Sequence, residues 1–199
     1  MKKMLKQNKG FSLVELLVAI LIMAVIAGTA ITLFSGVLNS SRKNADEETA
    51  ENIKRAILTY MNLTNDTNLN CLGMVQKDPD DADGKPLGGT WSQSYDLIAK
   101  LCCVIKIAED GTDKTKTDIT FTTPPNVTLP GTGSVTNIDN ATVDNSDIFG
   151  DFGPFLDGTK DMAPKTPGNF GWEIQIDSET QVIKVEVKEK QTDSTVKFN

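Results

Sequence analysis

Three sets of side chains in this sequence could do chemistry. The first is one carboxylate, Glu15, standing at the head of a run from Leu16 to Ser41 that contains no charged residue. A carboxylate in an apolar helix costs up to about 3 kcal/mol at a bilayer centre, and less near a helix end. It survives where it finds a cationic partner. The nearest candidate is an α-amino group, created if the chain is cut between Gly10 and Phe11; such a group is positive near neutral pH. The second set is three cysteines, Cys71, Cys102 and Cys103. Adjacent cysteines rarely bond each other, because the geometry strains the backbone. An oxidised pair would therefore join Cys71 to Cys102 or Cys103 and leave one thiol over; the alternative is three reduced, partly buried thiols. The third set is acidic and loop-like. Asp78 to Pro86 reads as a solvated turn, since its spacing does not match an EF-hand. Asp147, Asp151, Asp157 and Asp161, interleaved with glycines, are calcium candidates, and no other cofactor is expected.

Composition removes several classes of function. There is no histidine, which excludes Ser-His-Asp and Cys-His catalysis, histidine zinc sites and imidazole switching. No nucleophile motif or phosphate loop is present, so the chain does not read as an enzyme. Removing the four lysines of residues 1–10 (Lys2, Lys3, Lys6, Lys9) from the 20 basic groups leaves 16 against 27 acids, a net of −11. Nucleic-acid binding is not expected of so acidic a chain, because phosphate contacts need clusters of Lys and Arg.

The elements that must position these groups follow from the hydrophobic pattern. A basic flank followed by an apolar run longer than the roughly 20 residues that cross a bilayer reads as a membrane span. The lysines belong on the cytoplasmic side and the rest of the chain outside. A helix is expected from Phe11 to about Met61, about 75 Å long. It is apolar all round at first and amphipathic from Arg42. Ala45, Thr49, Ile53, Ala56, Ile57, Tyr60 and Met61 form its inner face. Asp46, Glu47, Glu48, Glu51, Lys54 and Arg55 fall mostly on the wet one, with Glu51 and Arg55 spaced as an i, i+4 pair. The polar run Asn62–Asn70 ends it.

Beyond it, Ser94–Cys102 reads as a short helix with Leu97, Ile98 and Leu101 inward. Val104–Ala108 and Thr117–Thr122 read as a hairpin. Residues 123–167 read as loops pinned by Phe149, Phe152 and Phe155. Trp172, Ile174 and Ile176 alternate with Glu173, Gln175 and Asp177. Ile183, Val185 and Val187 do the same in a second strand, giving a hairpin with one face buried. Thr195–Phe198 reads as a short edge strand. A long helix followed by a late antiparallel sheet is an α+β arrangement.

The run Gly10-Phe11-Ser12-Leu13-Val14-Glu15, between a basic leader and a span, resembles the prepilin cleavage and methylation motif of type IV pilins and pseudopilins. That resemblance implies a pilin-like fold and a structural role. It implies cleavage after Gly10 by prepilin peptidase, methylation of the new N-terminal Phe11, and Glu15 as the charge that pairs with that terminus during assembly. The domain layout it implies is a cleaved leader over 1–10, a transmembrane and assembly helix over 11–41, and an external domain over 42–199. The implied partners are an inner-membrane assembly platform and other pilin subunits in a filament. The implied destination is a cell-surface pilus serving adhesion, motility or aggregation. Alternatives are a pseudopilin of a type II secretion or DNA-uptake machine, and an anchored binding protein that does not polymerise. The resemblance covers residues 6–38. It departs from the common pattern where Thr32 stands in place of a helix-kinking proline, which favours a minor pilin or a pseudopilin.

Overall fold

A computed structural model describes residues 10–74, 93–109, 117–127, 129, 138–141, 148–177, 179–189 and 195–198, without side chains at 93, 138–141 and 198. Residues 1–9 of the leader, the acidic turn at 78–86 and Asp147 lie outside the described residues. The chain divides into two compact units, the first ending at Arg42 and the second spanning Lys43–Asn199.

The helix α1 spans Leu13–Thr64, 52 residues, without a proline to interrupt it. Its start lies two residues later than the pattern suggests, because Ser12 caps it. Its end lies three residues later, because the Thr64 hydroxyl donates to the Tyr60 carbonyl at 2.8 Å. In the first unit every large apolar side chain from Phe11 to Leu38 is exposed. This stretch is long and apolar enough to cross a membrane.

In the second unit Ile53, Ala56, Ile57, Tyr60 and Met61 are buried, as the spacing requires. They share one core with α2 (Gln93–Leu101) and two sheets. The first sheet has the order β3-β2-β1-β4, with β1 Val104–Glu109, β2 Thr117–Thr122, β3 Ile138–Ala141 and β4 Gly150–Phe152. The second has the order β6-β5-β7, with β5 Gly171–Asp177, β6 Val182–Lys188 and β7 Val196–Phe198. The hairpins β1–β2 and β5–β6 are antiparallel, in the register that pairs Ile107 with Ile119 and Ile174 with Val185. Each buried Ile, Leu or Trp contributes about 1.5–3 kcal/mol of transfer free energy. Alternation along β1 and β2 puts Ile105, Ile107, Ile119 and Phe121 on the core side.

Three expectations are corrected. Residues 123–167 are not loops alone: β3 and β4 add to the two edges of the β1–β2 hairpin. Both strands are three or four residues long, too short for an alternation to register. Phe149 is exposed and pins nothing, whereas Phe155 meets Tyr60 edge-on, ring centroids 5.7 Å apart. Glu173 is buried, not wet. Short β7 adds parallel to β5, making β5 the middle strand, and β5 is buried on both faces from Gly171 to Ile174.

The segment carrying residues 153–162 is held by backbone. The amides of Phe155 and Leu156 both donate to the Leu101 carbonyl, at 2.9 and 3.1 Å. Close by, Gly158 leaves no room for a side chain, since a Cβ there would lie 2.3 Å from Val127 Cγ1. Gly158→Ala is therefore expected to destabilise the protein by about 1–3 kcal/mol. Thermal unfolding in detergent checks this; a midpoint equal to wild type would show that the Val127 contact yields freely.

Candidate functional site: the head of the apolar helix

The site is built at the boundary between coil and helix. Gly10, Phe11 and Ser12 lie outside α1, and Phe11 is 88% exposed. Ser12 is the N-cap: its carbonyl accepts from the Leu16 amide at 3.2 Å and its hydroxyl accepts from the Val14 amide at 3.4 Å. Glu15 completes the reciprocal arrangement, its Oε2 accepting from the Ser12 amide at 3.1 Å. Serine followed three residues later by glutamate at a helix start is a capping box, which satisfies donors that have no partner inside the helix. The negative charge also lies at the positive end of the helix dipole. The signal was present in the sequence as Ser-x-x-Glu before an apolar run, but reading Glu15 only as a charge in search of a cation passes over it. The two uses are compatible. The capped carboxylate is held within one residue of the Phe11 nitrogen, where a new amino terminus would appear on cleavage. At Gly10 a Cβ would meet nothing within 4 Å, so packing inside the chain does not demand glycine there.

The other sequence candidates belong to the second unit. Cys71, Cys102 and Cys103 are free thiols, all buried. Burial, and then the charge of Asp66, push the Cys71 thiol up to about 12. Burial, and then the neighbouring Cys103, push Cys102 up to about 11. Of the calcium candidates, Asp151 sits on β4 opposite Lys106. Asp157 caps its own turn, accepting from the Thr159 amide at 3.1 Å and hydroxyl at 2.6 Å; these bonds hold its pKa below the usual range. Asp161 pairs with Lys165 and accepts from the Ala163 amide at 3.0 Å, and the lysine holds its carboxyl low. Asp157 and Asp161 are engaged locally, and among the described residues no three metal-ligating side chains gather.

Several charged residues carry structural roles that periodicity alone misses. Asp46, placed on the wet face by its charge, is buried and accepts from the Lys165 and Thr166 amides. Its position, seven residues before Ile53 and four before Ala50, lies on the core stripe. Asp66 is buried beyond the helix end. It accepts from the Tyr60 hydroxyl at 2.7 Å, the Asn70 amide at 2.9 Å and the Cys71 amide at 2.8 Å, fixing the single 3₁₀ turn Asn70–Leu72. Burial, and then the charge of Asp66, raise the Tyr60 phenol well above its ordinary value. Lys100 donates to the Leu72 carbonyl at 2.7 Å, pairs with Asp96 at 2.8 Å and lies 5.5 Å from the Phe121 ring centre. Burial acts to raise the Glu173 carboxyl, but bonds from Lys197 (3.0 Å) and Gln175 outweigh it and leave it low.

The comparisons with known proteins bear on the head of the helix. One family matches, described as the prokaryotic N-terminal methylation motif, over residues 5–31. That motif is the signature of type IV pilins and pseudopilins, so the chain carries the mark of a precursor of that type. The signature implies processing by prepilin peptidase and pilus assembly, in a class that is structural and not enzymatic. With it, the long helix followed by antiparallel and mixed sheets is the α+β layout of a pilin-like fold. The single apolar helix at the N-terminus is compatible with a one-pass anchor. No curated protein and no solved structure matches the chain.

Asp66→Ala is expected to cost about 3 kcal/mol, because two amides and a phenol lose a buried acceptor; denaturant unfolding measures it. Tyr60 and Cys71 are neutral when protonated, and both have folded pKa values above their unfolded ones. Their contribution is therefore complete at neutral pH and is lost as pH rises between about 9 and 12. Stability that stays flat through this alkaline window would contradict the buried, protonated state of both groups.

Proposed function

We propose that this chain is a subunit of a type IV pilus, made as a prepilin and polymerised through its apolar helix. Prepilin peptidase cuts between Gly10 and Phe11, and Phe11 is then methylated. Residues 11–41 anchor the subunit in the membrane until the assembly platform moves it into a filament, with the leader cytoplasmic and residues 42–199 outside. The filament serves adhesion, motility or aggregation at the cell surface. Glu15 neutralises an N-terminal ammonium, its own or a neighbour's, and so selects the docked register.

The observation that carries this reading is the coincidence at one place of the motif and an exposed, non-helical Gly10–Phe11 bond. A peptidase needs an accessible, extended bond, and here the helix begins only after it. The glycine, unneeded by the chain's own packing, answers to an enzyme that must approach the backbone closely. The exposed apolar side chains from Phe11 to Leu38 require lipid first and other helices later. A pseudopilin, or a minor pilin, is the second reading. It is favoured by Thr32, whose hydroxyl donates to the Thr29 carbonyl at 2.8 Å inside unbroken α1, where many pilins have proline.

Mass spectrometry of filaments sheared from native cells, beside the membrane fraction, tests the proposal. A chain starting at methylated Phe11 and abundant in the sheared fraction is the expected result. The same chain confined to membranes would select the pseudopilin or rare-subunit reading, and a chain starting at Met1 would overturn both. Gly10→Val should leave the full precursor in the membrane.

Glu15→Gln separates the two uses of Glu15. The amide still caps Ser12, so helix content should hold, whereas Glu15→Ala should lose about 0.5–2 kcal/mol of local helix stability. Both variants should be cut and both should assemble poorly. Normal assembly by Glu15→Gln would show that the cap, not the charge, is what matters.

A further inference from the structure

A cleft of about 400 Å³ in the second unit is lined by α1, the segment 166–172 and β6, a volume within the range of small-ligand sites. Ala50, Trp172, Val185 and Val187 give it an apolar lining. Its polar groups fall into two sets. Asp46 and Glu186 are occupied, the first by the Lys165 and Thr166 amides and the second by Lys184 and Lys188. Among the described residues Lys43, Glu47, the Asn169 side-chain amide and the Thr166 hydroxyl have no such partners. Thr166 Oγ1 is buried without a hydrogen bond, which costs more than a bond would contribute. Lys43 and Glu47 are exposed and stand at i, i+4 with the cation first, the poorer order for pairing along a helix.

A free cation and a free anion beside an apolar lining and an orphaned hydroxyl are the complement of a zwitterion. An anionic group would meet Lys43, with Thr166 and Asn169 as further donors, and an ammonium would meet Glu47. Chain connectivity points to the source. The charge-free run from Leu16 to Ser41 is about 39 Å of helix. A bilayer is about 30 Å thick in its hydrocarbon and about 40–45 Å with both headgroup layers, so the run crosses the hydrocarbon and ends in a headgroup layer. Lys43 follows Ser41 by two residues, which even a fully extended chain keeps within about 7 Å. The cation of the cleft is thus tethered at headgroup level by connectivity alone.

We infer that the cleft holds the head of a phospholipid of the ethanolamine class, with a phosphate and a primary amine. Lys43, Thr166 and Asn169 donate to the phosphate, and the ammonium donates to Glu47. The glycerol end lies on Ala50 and the two valines, with the acyl chains outside. A choline head fits poorly, because its trimethylammonium has no N–H to donate. The inference rests on the membrane-anchored stage of the reading above and not on polymerisation.

Lipid retention tests it. The full-length chain is reconstituted in vesicles of equal parts dioleoyl phosphatidylethanolamine and dioleoyl phosphatidylcholine, extracted in mild detergent and purified. Mass spectrometry then counts the lipid that stays bound. Ethanolamine lipid should exceed choline lipid at least about fivefold, the worth of one charge-assisted hydrogen bond. Glu47→Ala should bring that ratio near unity. Lys43→Glu and Thr166→Val should each cut the bound ethanolamine lipid at least about fivefold, since each removes a donor to the phosphate. Thermal midpoints in detergent should hold for all three, because Lys43 and Glu47 are exposed and the Thr166 hydroxyl bonds nothing in the fold. A wild-type ratio near unity, or wild-type retention by any of the three variants, would overturn the inference and leave the pilus reading standing. Displacement of the lipid by an equal concentration of soluble phosphoethanolamine would overturn it too, by making a free small molecule the occupant. A wild-type chain that does not enter the vesicles would overturn the anchored stage, and the proposed function with it.

Discussion

A helix buries almost nothing by itself, and this chain begins its folded part with one of 52 residues. The need to cover that helix governs the rest. From Phe11 to Leu38 every large apolar side chain is exposed, and among the described residues of the first unit no segment covers them. In water such a surface is untenable. In lipid, or among identical helices, it is what the environment requires. From Ile53 to Met61 the same helix is covered by the chain itself, through α2 and two small sheets. One element therefore serves two solvents, and the charge pattern marks the change, with no ionisable group from Leu16 to Ser41 and many from Arg42 onward.

Within the second unit, buried polar groups fix how the cover is laid. Asp46 takes two amides from the 165–166 turn, Asp66 takes two amides and a phenol, and the Trp172 indole donates to the Met162 carbonyl at 2.7 Å. Hydrophobic burial is non-directional, so it would accept many arrangements of short strands over the helix. Each of these carboxylates and the indole has a geometry that few arrangements satisfy, and leaving one unpaired costs more than the bond contributes. The loop-rich middle of the chain is thus held by point contacts to backbone and not by long strands.

The head of the helix shows the same economy. Ser12 and Glu15 satisfy free amides at the head of α1 while leaving Gly10 and Phe11 outside the helix and exposed. A carboxylate that looks costly in an apolar helix is in fact already solvated by backbone, at the end where the helix dipole favours it. Its remaining acceptor capacity is free for a cation, which is what a newly made amino terminus would supply.

The sequence by itself determined the long helix, its division into an apolar and an amphipathic half, the two long hairpins and the processing motif. Each of these rests on local spacing over at least six residues, and local spacing is legible without a partner. Only the tertiary structure decided the rest. The strands β3 and β4 are too short to carry a pattern and exist because β1 and β2 offer open edges. Glu173 is buried because β7 returns alongside β5. Asp46 and Asp66 turn inward because distant or irregular backbone presents amides to them. A charged side chain reads as wet until its donors are known, and those donors are placed by the fold.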